Sequence, residues 1–233
     1  MRLASVENKG AFSASHLVGI EGGCANFMIL WQQPALALLI GYILGSIPFG
    51  IILTRLFGAG DLRQIGSGNI GATNVLRTGR KGLAAATLLL DLLKGAAAVL
   101  LVGHLIAPDL AELAGLGAFV GHCWPVWLKF KGGKGVATFM GIVTALHWPA
   151  GLVYAAVWLG MLAASRISSL AGLTAAVTSP IAMLVMGRVD LVPLTLGIAL
   201  LVVWKHRDNI GRLMRGEEPK IGGNKAPMPT VQE

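Results

Sequence analysis

Between two of its most apolar stretches the chain reads GSGNIGATNVLRTGRKG, residues 66–82. Gly66, Gly68 and Gly71 let the backbone bend sharply and turn N–H groups inward, a geometry that binds anions. Ser67, Asn69, Thr73 and Asn74 add neutral donors, and Arg77 adds a planar fork matched to a phosphate. The spacing G-x-x-x-x-G-K-[ST] of a nucleotide-binding phosphate loop is missing, and no strand precedes the glycines as a dinucleotide fingerprint would need. A second glycine-rich segment, Lys129-Phe130-Lys131-Gly132-Gly133-Lys134-Gly135, puts Lys134 and open backbone where an apolar run begins. Helix N-termini favour anions through their orphan N–H groups and their dipole. A third segment, Lys205–Leu213, spaces His206 and Asn209 by three residues, on one face if the helix continues. The chemistry these three segments suggest is the handling of phosphate.

The elements that must position them are membrane helices. Of the 233 residues 55% are hydrophobic and 13% charged, with a mean hydropathy of +0.70. A soluble domain carries roughly twice that charged fraction. The apolar runs are continuous rather than alternating, which excludes a membrane barrel and leaves an all-α polytopic bundle. Breakers divide them into seven candidate spans, about Pro34–Phe57, Leu83–Ile106, Leu113–Phe130, Gly135–Leu146, Pro149–Ala164, Leu170–Met186 and Leu191–Trp204. The stretch 135–164, interrupted by His147-Trp148-Pro149, reads either as two short tilted spans or as a re-entrant hairpin. Of 19 Lys and Arg residues, 15 fall at odd-numbered loops or the C-terminus, whereas Arg188 alone falls in an even loop. The positive-inside rule then puts the C-terminus in the cytoplasm and the N-terminus outside. All three phosphate-type segments belong to the cytoplasmic side.

The +8 net charge is explained by this topology, so no nucleic-acid partner is expected. Cys24 and Cys123 are far apart and in unlike contexts, which yields neither a disulfide framework nor a metal spacing. Asp91 and Lys94, at i and i+3 inside the second span, can neutralise each other and pin the bundle. His104 and Asp109 spell H-x4-D, a pattern of thioester-using acyltransferases, but topology puts them on the outer side and Pro108 breaks the segment. Residues 1–29 read as a disordered extension without a signal peptide's basic and apolar order, 30–216 as the membrane domain, and 217–233 as a mobile cytoplasmic tail.

With these residues assembled, the chain resembles the bacterial integral-membrane glycerol-3-phosphate acyltransferases that use acyl-phosphate, from about Leu30 to Ile221. The resemblance is carried by Gly45-Ser46-Ile47-Pro48-Phe49-Gly50, the Gly66–Gly82 block, Asp91-x-x-Lys94-Gly95, Gly121-His122, Lys134 through Thr138, and His206-Arg207-x-Asn209-Ile210-x-Arg212-Leu213. It implies acyl transfer to the sn-1 hydroxyl of glycerol 3-phosphate at the inner leaflet of the cytoplasmic membrane, giving lysophosphatidic acid and phosphate. It further implies phosphate binding by Ser67, Thr73 and Asn74 with Arg77 and Lys134 as charged partners. Substrate orientation would fall to His206, Asn209 and one of Ser168 and Ser169, with Ser169 preferred. Membrane lipids surround the enzyme, a monomer is expected, and neither metal nor cofactor is implied. The rival reading is a transporter of an anionic metabolite. It would need broken helices at the midplane of two inverted halves, whereas the polar residues here gather on one face.

Overall fold

A computed structural model of the chain describes residues 31–222, so the extension expected over 1–29 lies outside them. All regular structure among the described residues is helical. In chain order it comprises α1 (31–45), α2 (Phe49–Leu56), α3 (Ala72–Leu76), α4 (Lys81–Leu105), α5 (Ala111–Cys123), α6 (Val136–Leu146), α7 (Trp148–Ser165), α8 (Ser168–Val185), α9 (Val192–Lys205) and α10 (Arg207–Met214). Four helical stretches, Trp31–Leu56, Lys81–Leu105, Trp148–Ser165 and Ser168–Val185, are long and apolar enough to cross a bilayer. Val189–Lys205 and Arg207–Met214 add a fifth if the pair, bent by 61°, is taken as one span. The 11 residues of α6 reach only about 16 Å at 1.5 Å each, about half a hydrocarbon core.

Small residues set the distances between helices. In lipid, apolar side chains gain little by leaving the solvent, so close backbone approach carries the packing. Gly41 and Gly45 of α1 lie against the backbone of Ala114 and Ala118 in α5, while Gly117 and Gly121 of α5 lie against Leu38 and Tyr42. Gly95 of α4 meets Thr138 of α6, and Gly141 of α6 meets Leu92 of α4. Between them Phe119, Phe139 and Tyr154 stack edge to face, with centroids 6.3 and 5.5 Å apart.

Several expected boundaries move. The first span is interrupted at Ser46–Pro48, where proline cannot donate to the helix ladder. The Ile47 carbonyl there accepts from the Lys94 ammonium at 2.9 Å, and Lys94 also pairs with Asp91 at 2.7 Å. The buried pair therefore does pin two helices, with the break in the first span supplying one of its acceptors. The third span stops at Cys123 instead of Phe130, because Pro125 ends α5 and the next residues take partners from the first span. Tyr42 Oη donates to the Trp124 carbonyl and accepts from Val126 N–H, and Trp127 Nε1 donates to the Ser46 carbonyl at 2.7 Å. The helix expected to carry His206 and Asn209 on one straight face bends at His206 instead. Glu217–Gly222, assigned by sequence to a mobile tail, are tied back: Glu217 N–H donates to Arg212, and Ile221 N–H donates to the Arg166 carbonyl at 2.7 Å.

Candidate active site

The 66–82 loop rests on an apolar cluster of Ile51 from α2, Leu62, Ile70, Val75 and Ala84 from α4. Gly66 and Gly68 take φ of +55° and +68°, which side chains other than glycine's resist. Their role and that of their neighbours is to shape the loop. Gly68 N–H donates to the Ile65 carbonyl at 3.0 Å, and Gly71 N–H donates to Asn69 Oδ1 at 3.3 Å. Asn74, expected to offer a free donor, is 2% exposed and gives its amide hydrogens to the Leu62 and Ile65 carbonyls. Its Oδ1 accepts from Arg77 Nη1 at 3.3 Å, so Asn74 aims the arginine. Among the described residues, the N–H groups of Gly66, Ser67, Asn69, Ile70, Ala72 and Thr73 have no acceptor in the protein.

The second glycine loop is laid flat across the end of α5. Gly132 and Gly133 N–H donate to the Cys123 and His122 carbonyls, and a Cβ on Gly133 would strike the His122 ring. Gly135, at φ +81°, starts α6 over the Phe119 ring. His122 is held against Asp91, 3.7 Å away, and near the Thr138 hydroxyl at 3.2 Å. This fixes Lys134, whose ammonium donates to Asn209 Oδ1. Burial lowers the Lys134 pKa to about 8, with Glu218 pulling the other way.

His206 stands just past α9 at the bend and is 3% exposed. Its Nδ1 donates to the Val202 carbonyl at 2.8 Å, which leaves Nε2 as an acceptor. Burial lowers its pKa to about 4, so the ring stays neutral near neutral pH. Ser168 and Ser169 separate in role. Ser168 Oγ lies 2.7 Å from Thr73 Oγ1 and joins α8 to the first loop, whereas Ser169 Oγ donates to Glu218 at 2.7 Å.

These loops converge on one cavity lined by Ser67, Asn69, Gly71, Thr73, Asn74, Arg77, Lys134, Ser169, His206 and Asn209. Of the residues expected at the site, only Gly68 stays off its wall. Sequence reasoning missed Arg212, Glu218 and the inner pair Asp91 and His122, which also line it. Beyond Leu88 and Trp158 the wall turns apolar and continues into a second cavity lined by Leu88, Leu92, Val136, Ala137, Met140, Tyr154 and Trp158. A mouth lined by cations thus adjoins an apolar pocket.

A family model described as glycerol-3-phosphate acyltransferase matches residues 35–216. A glycerol-3-phosphate acyltransferase of Mesorhizobium japonicum is 60% identical over 187 residues, 80% of this chain and 95% of the relative. The fold resembles the crystal structure of PlsY, an integral membrane glycerol 3-phosphate acyltransferase, in its glycerol 3-phosphate form. The TM-score is 0.76 at 38% identity, covering 81% of this chain and 96% of the other. The lysophosphatidic acid form of PlsY gives 0.74 at 37%, covering 80% and 94%.

Proposed function

The chain belongs to the glycerol-3-phosphate acyltransferase family and is an acyltransferase enzyme, and on that premise we propose that its donor is acyl-phosphate. The acyl group goes to the sn-1 hydroxyl of glycerol 3-phosphate, and lysophosphatidic acid and inorganic phosphate leave. The observation that carries this reading is the union, in one cavity, of Arg77, Lys134 and Arg212 with an apolar continuation past Trp158. A donor with a phosphate head and an acyl tail fits both parts.

Two phosphates brought side by side repel each other, so cations and directed N–H donors must offset the repulsion. Ser67, Arg77, Lys134 and the free N–H groups of Ala72 and Thr73 are the donors suited to this. Gly68, Asn69, Gly71 and Asn74 hold their loop in shape. His206 Nε2 and Asn209 orient the glycerol hydroxyl, and the acyl tail runs along Leu88, Val136, Met140, Tyr154 and Trp158. The hydroxyl oxygen attacks the acyl carbonyl carbon, and the bond from that carbon to the phosphate oxygen breaks. The hydroxyl proton passes to a substrate phosphate oxygen. Acyl-phosphate is already activated, and holding the two reactants together can supply about 7–11 kcal/mol, so no acyl-enzyme is required.

This mouth faces the cytoplasm in a bundle of seven crossings in the bacterial inner membrane, with the N-terminus outside. The working unit in this reading is a monomer. The deciding assay uses purified protein in detergent, with phosphate release from acyl-phosphate followed with and without glycerol 3-phosphate. Release that depends on glycerol 3-phosphate is expected. Robust turnover with acyl-coenzyme A alone would overturn the reading.

A further inference from the structure

The cavity contains an anion of its own. Glu218 Oε1 accepts from Ser169 Oγ at 2.7 Å and from Asn209 Nδ2, and its Oε2 accepts from Arg212 Nε at 2.7 Å. A carboxylate is an odd occupant for a site that must collect phosphates. It is not there by accident of a loose tail. Its side chain is only 6% exposed, and the segment is fastened on both sides, by Glu217 N–H to the Arg212 carbonyl and by the paired bonds between Ile221 and Arg166. Burial alone would raise its pKa, but the bonds from Ser169, Asn209 and Arg212 outweigh this and leave it below the ordinary carboxylate value.

The consequence lies in the hydrogens. A serine hydroxyl has one, and Ser169 gives it to Glu218, so toward the cavity it presents only lone pairs. His206 Nε2 is likewise an acceptor, since its Nδ1 donates to Val202. Asn209 is locked with its oxygen toward Lys134 and its nitrogen toward Glu218. This sector can therefore accept from a hydroxyl but offers little to a phosphate, which only accepts, and the Glu218 charge repels the phosphate as well. We propose that Glu218 is a specificity-determining residue: it converts the Ser169–His206–Asn209 sector into a hydroxyl reader and confines phosphate to the Arg77–Lys134 side. Glycerol 3-phosphate then enters in one orientation, with its hydroxyl end toward the tail strap. Acting through Ser169 and Asn209, Glu218 is a positioning residue and takes no part in bond making.

The inference rests on the acyl-phosphate reading only for its turnover arm. The first readout is binding of inorganic phosphate, taken from thermal stabilisation of the purified protein in detergent. Glu218→Gln keeps the shape and removes the charge. It should tighten phosphate binding by at least about fivefold, since juxtaposing like charges costs up to several kcal/mol. In the assay, kcat should fall by roughly tenfold or more with no rise in KM for glycerol 3-phosphate, the signature of non-productive binding in a reversed orientation. Ser169→Ala covers the case in which Glu218→Gln does not fold. Its phosphate affinity should match wild type, because Ser169 does not donate to phosphate. Unchanged or weaker phosphate binding in folded Glu218→Gln overturns the proposal, as does weakened phosphate binding in Ser169→Ala. A wild type that binds phosphate yet does not turn over acyl-phosphate overturns the donor assignment and leaves both binding arms to judge Glu218.

Discussion

At the residue scale, two arginines of the first loop, Arg63 and Arg77, make a matched pair. Arg63 is taken up by Asp61, with Nη2 to Oδ2 at 2.8 Å, and stands outside the cavity. Among the described residues Arg77 has no carboxylate partner, and Asn74 aims it into the cavity. Arg77→Ala should lower kcat/KM by about a hundredfold or more, since a bond to a charged group contributes roughly 1.5–3 kcal/mol and a fork makes two. Arg77→Lys should restore part of it, and Arg63→Ala should change activity little; steady-state kinetics in detergent checks all three. Lys134 adds a pH dependence. Its charged form is the protonated one, and with a pKa of about 8 that form is lost as pH rises through 8. The kcat/KM for glycerol 3-phosphate should therefore fall above pH 8, about tenfold per unit, because this parameter reports free-enzyme groups. Lys134→Arg should flatten that limb. Arg77, Lys134, Ser67 and Thr73 were legible because residue type and glycine spacing alone advertise anion binding. Glu218 was not: Asn209 and Arg212 are close in sequence, but the contact that brings it to the site also needs Ser169, 49 residues away.

At the element scale, each of the seven apolar runs contains a helix, but hydropathy missed the short α3 and α10, which lie outside the runs, and did not show where each helix stops. A run such as Trp124–Phe130 is apolar enough to continue α5, and its real conformation is decided by Pro125 and by contacts to Tyr42 and Ser46 on another helix. The break at Ser46–Pro48 was likewise invisible to hydropathy; the acceptor it frees is used by a lysine 47 residues on. Glycine spacing carries information that composition hides. Gly141 lies so close to Leu92 that a Cβ would land on its carbonyl, whereas Gly160 has open space around it. Gly141→Ala should lower the unfolding temperature in detergent, with overpacking costing about 1–3 kcal/mol, and should also reduce activity because Lys134 stands two residues before the start of α6. Gly160→Ala should leave activity alone and hold or raise the unfolding temperature, since alanine is favoured in a helix by about 0.5–1 kcal/mol. Equal effects from the two would mean that the α4–α6 approach does not set the site.

At the scale of the whole molecule, charge and geometry can be checked against each other. Cation counts alone assign the loops after the first, third and fifth runs and the C-terminal segment to one side. The structure joins those same loops by direct contacts: Thr73 to Ser168, Lys134 to Asn209, Arg166 to Ile221. Joining all four at one end requires the chain to return there after each pair of runs, whether or not α6 traverses the full bilayer. The turns at Pro108–Leu110 and Val189–Leu191 belong to the other end, where Arg188 and Asp190 influence Glu112. In a background carrying Cys24→Ser and Cys123→Ala, Asp109→Cys and Val189→Cys should react with an impermeant maleimide on intact cells. Gln64→Cys, Lys131→Cys and Lys220→Cys, all at exposed positions, should react only after the membrane is opened. Labelling of Lys131→Cys from outside would put the phosphate loops on the wrong side for a cytoplasmic substrate and would end the proposed orientation. Labelling of both groups from the same side would instead remove the odd number of crossings between them, and with it the seven-span count.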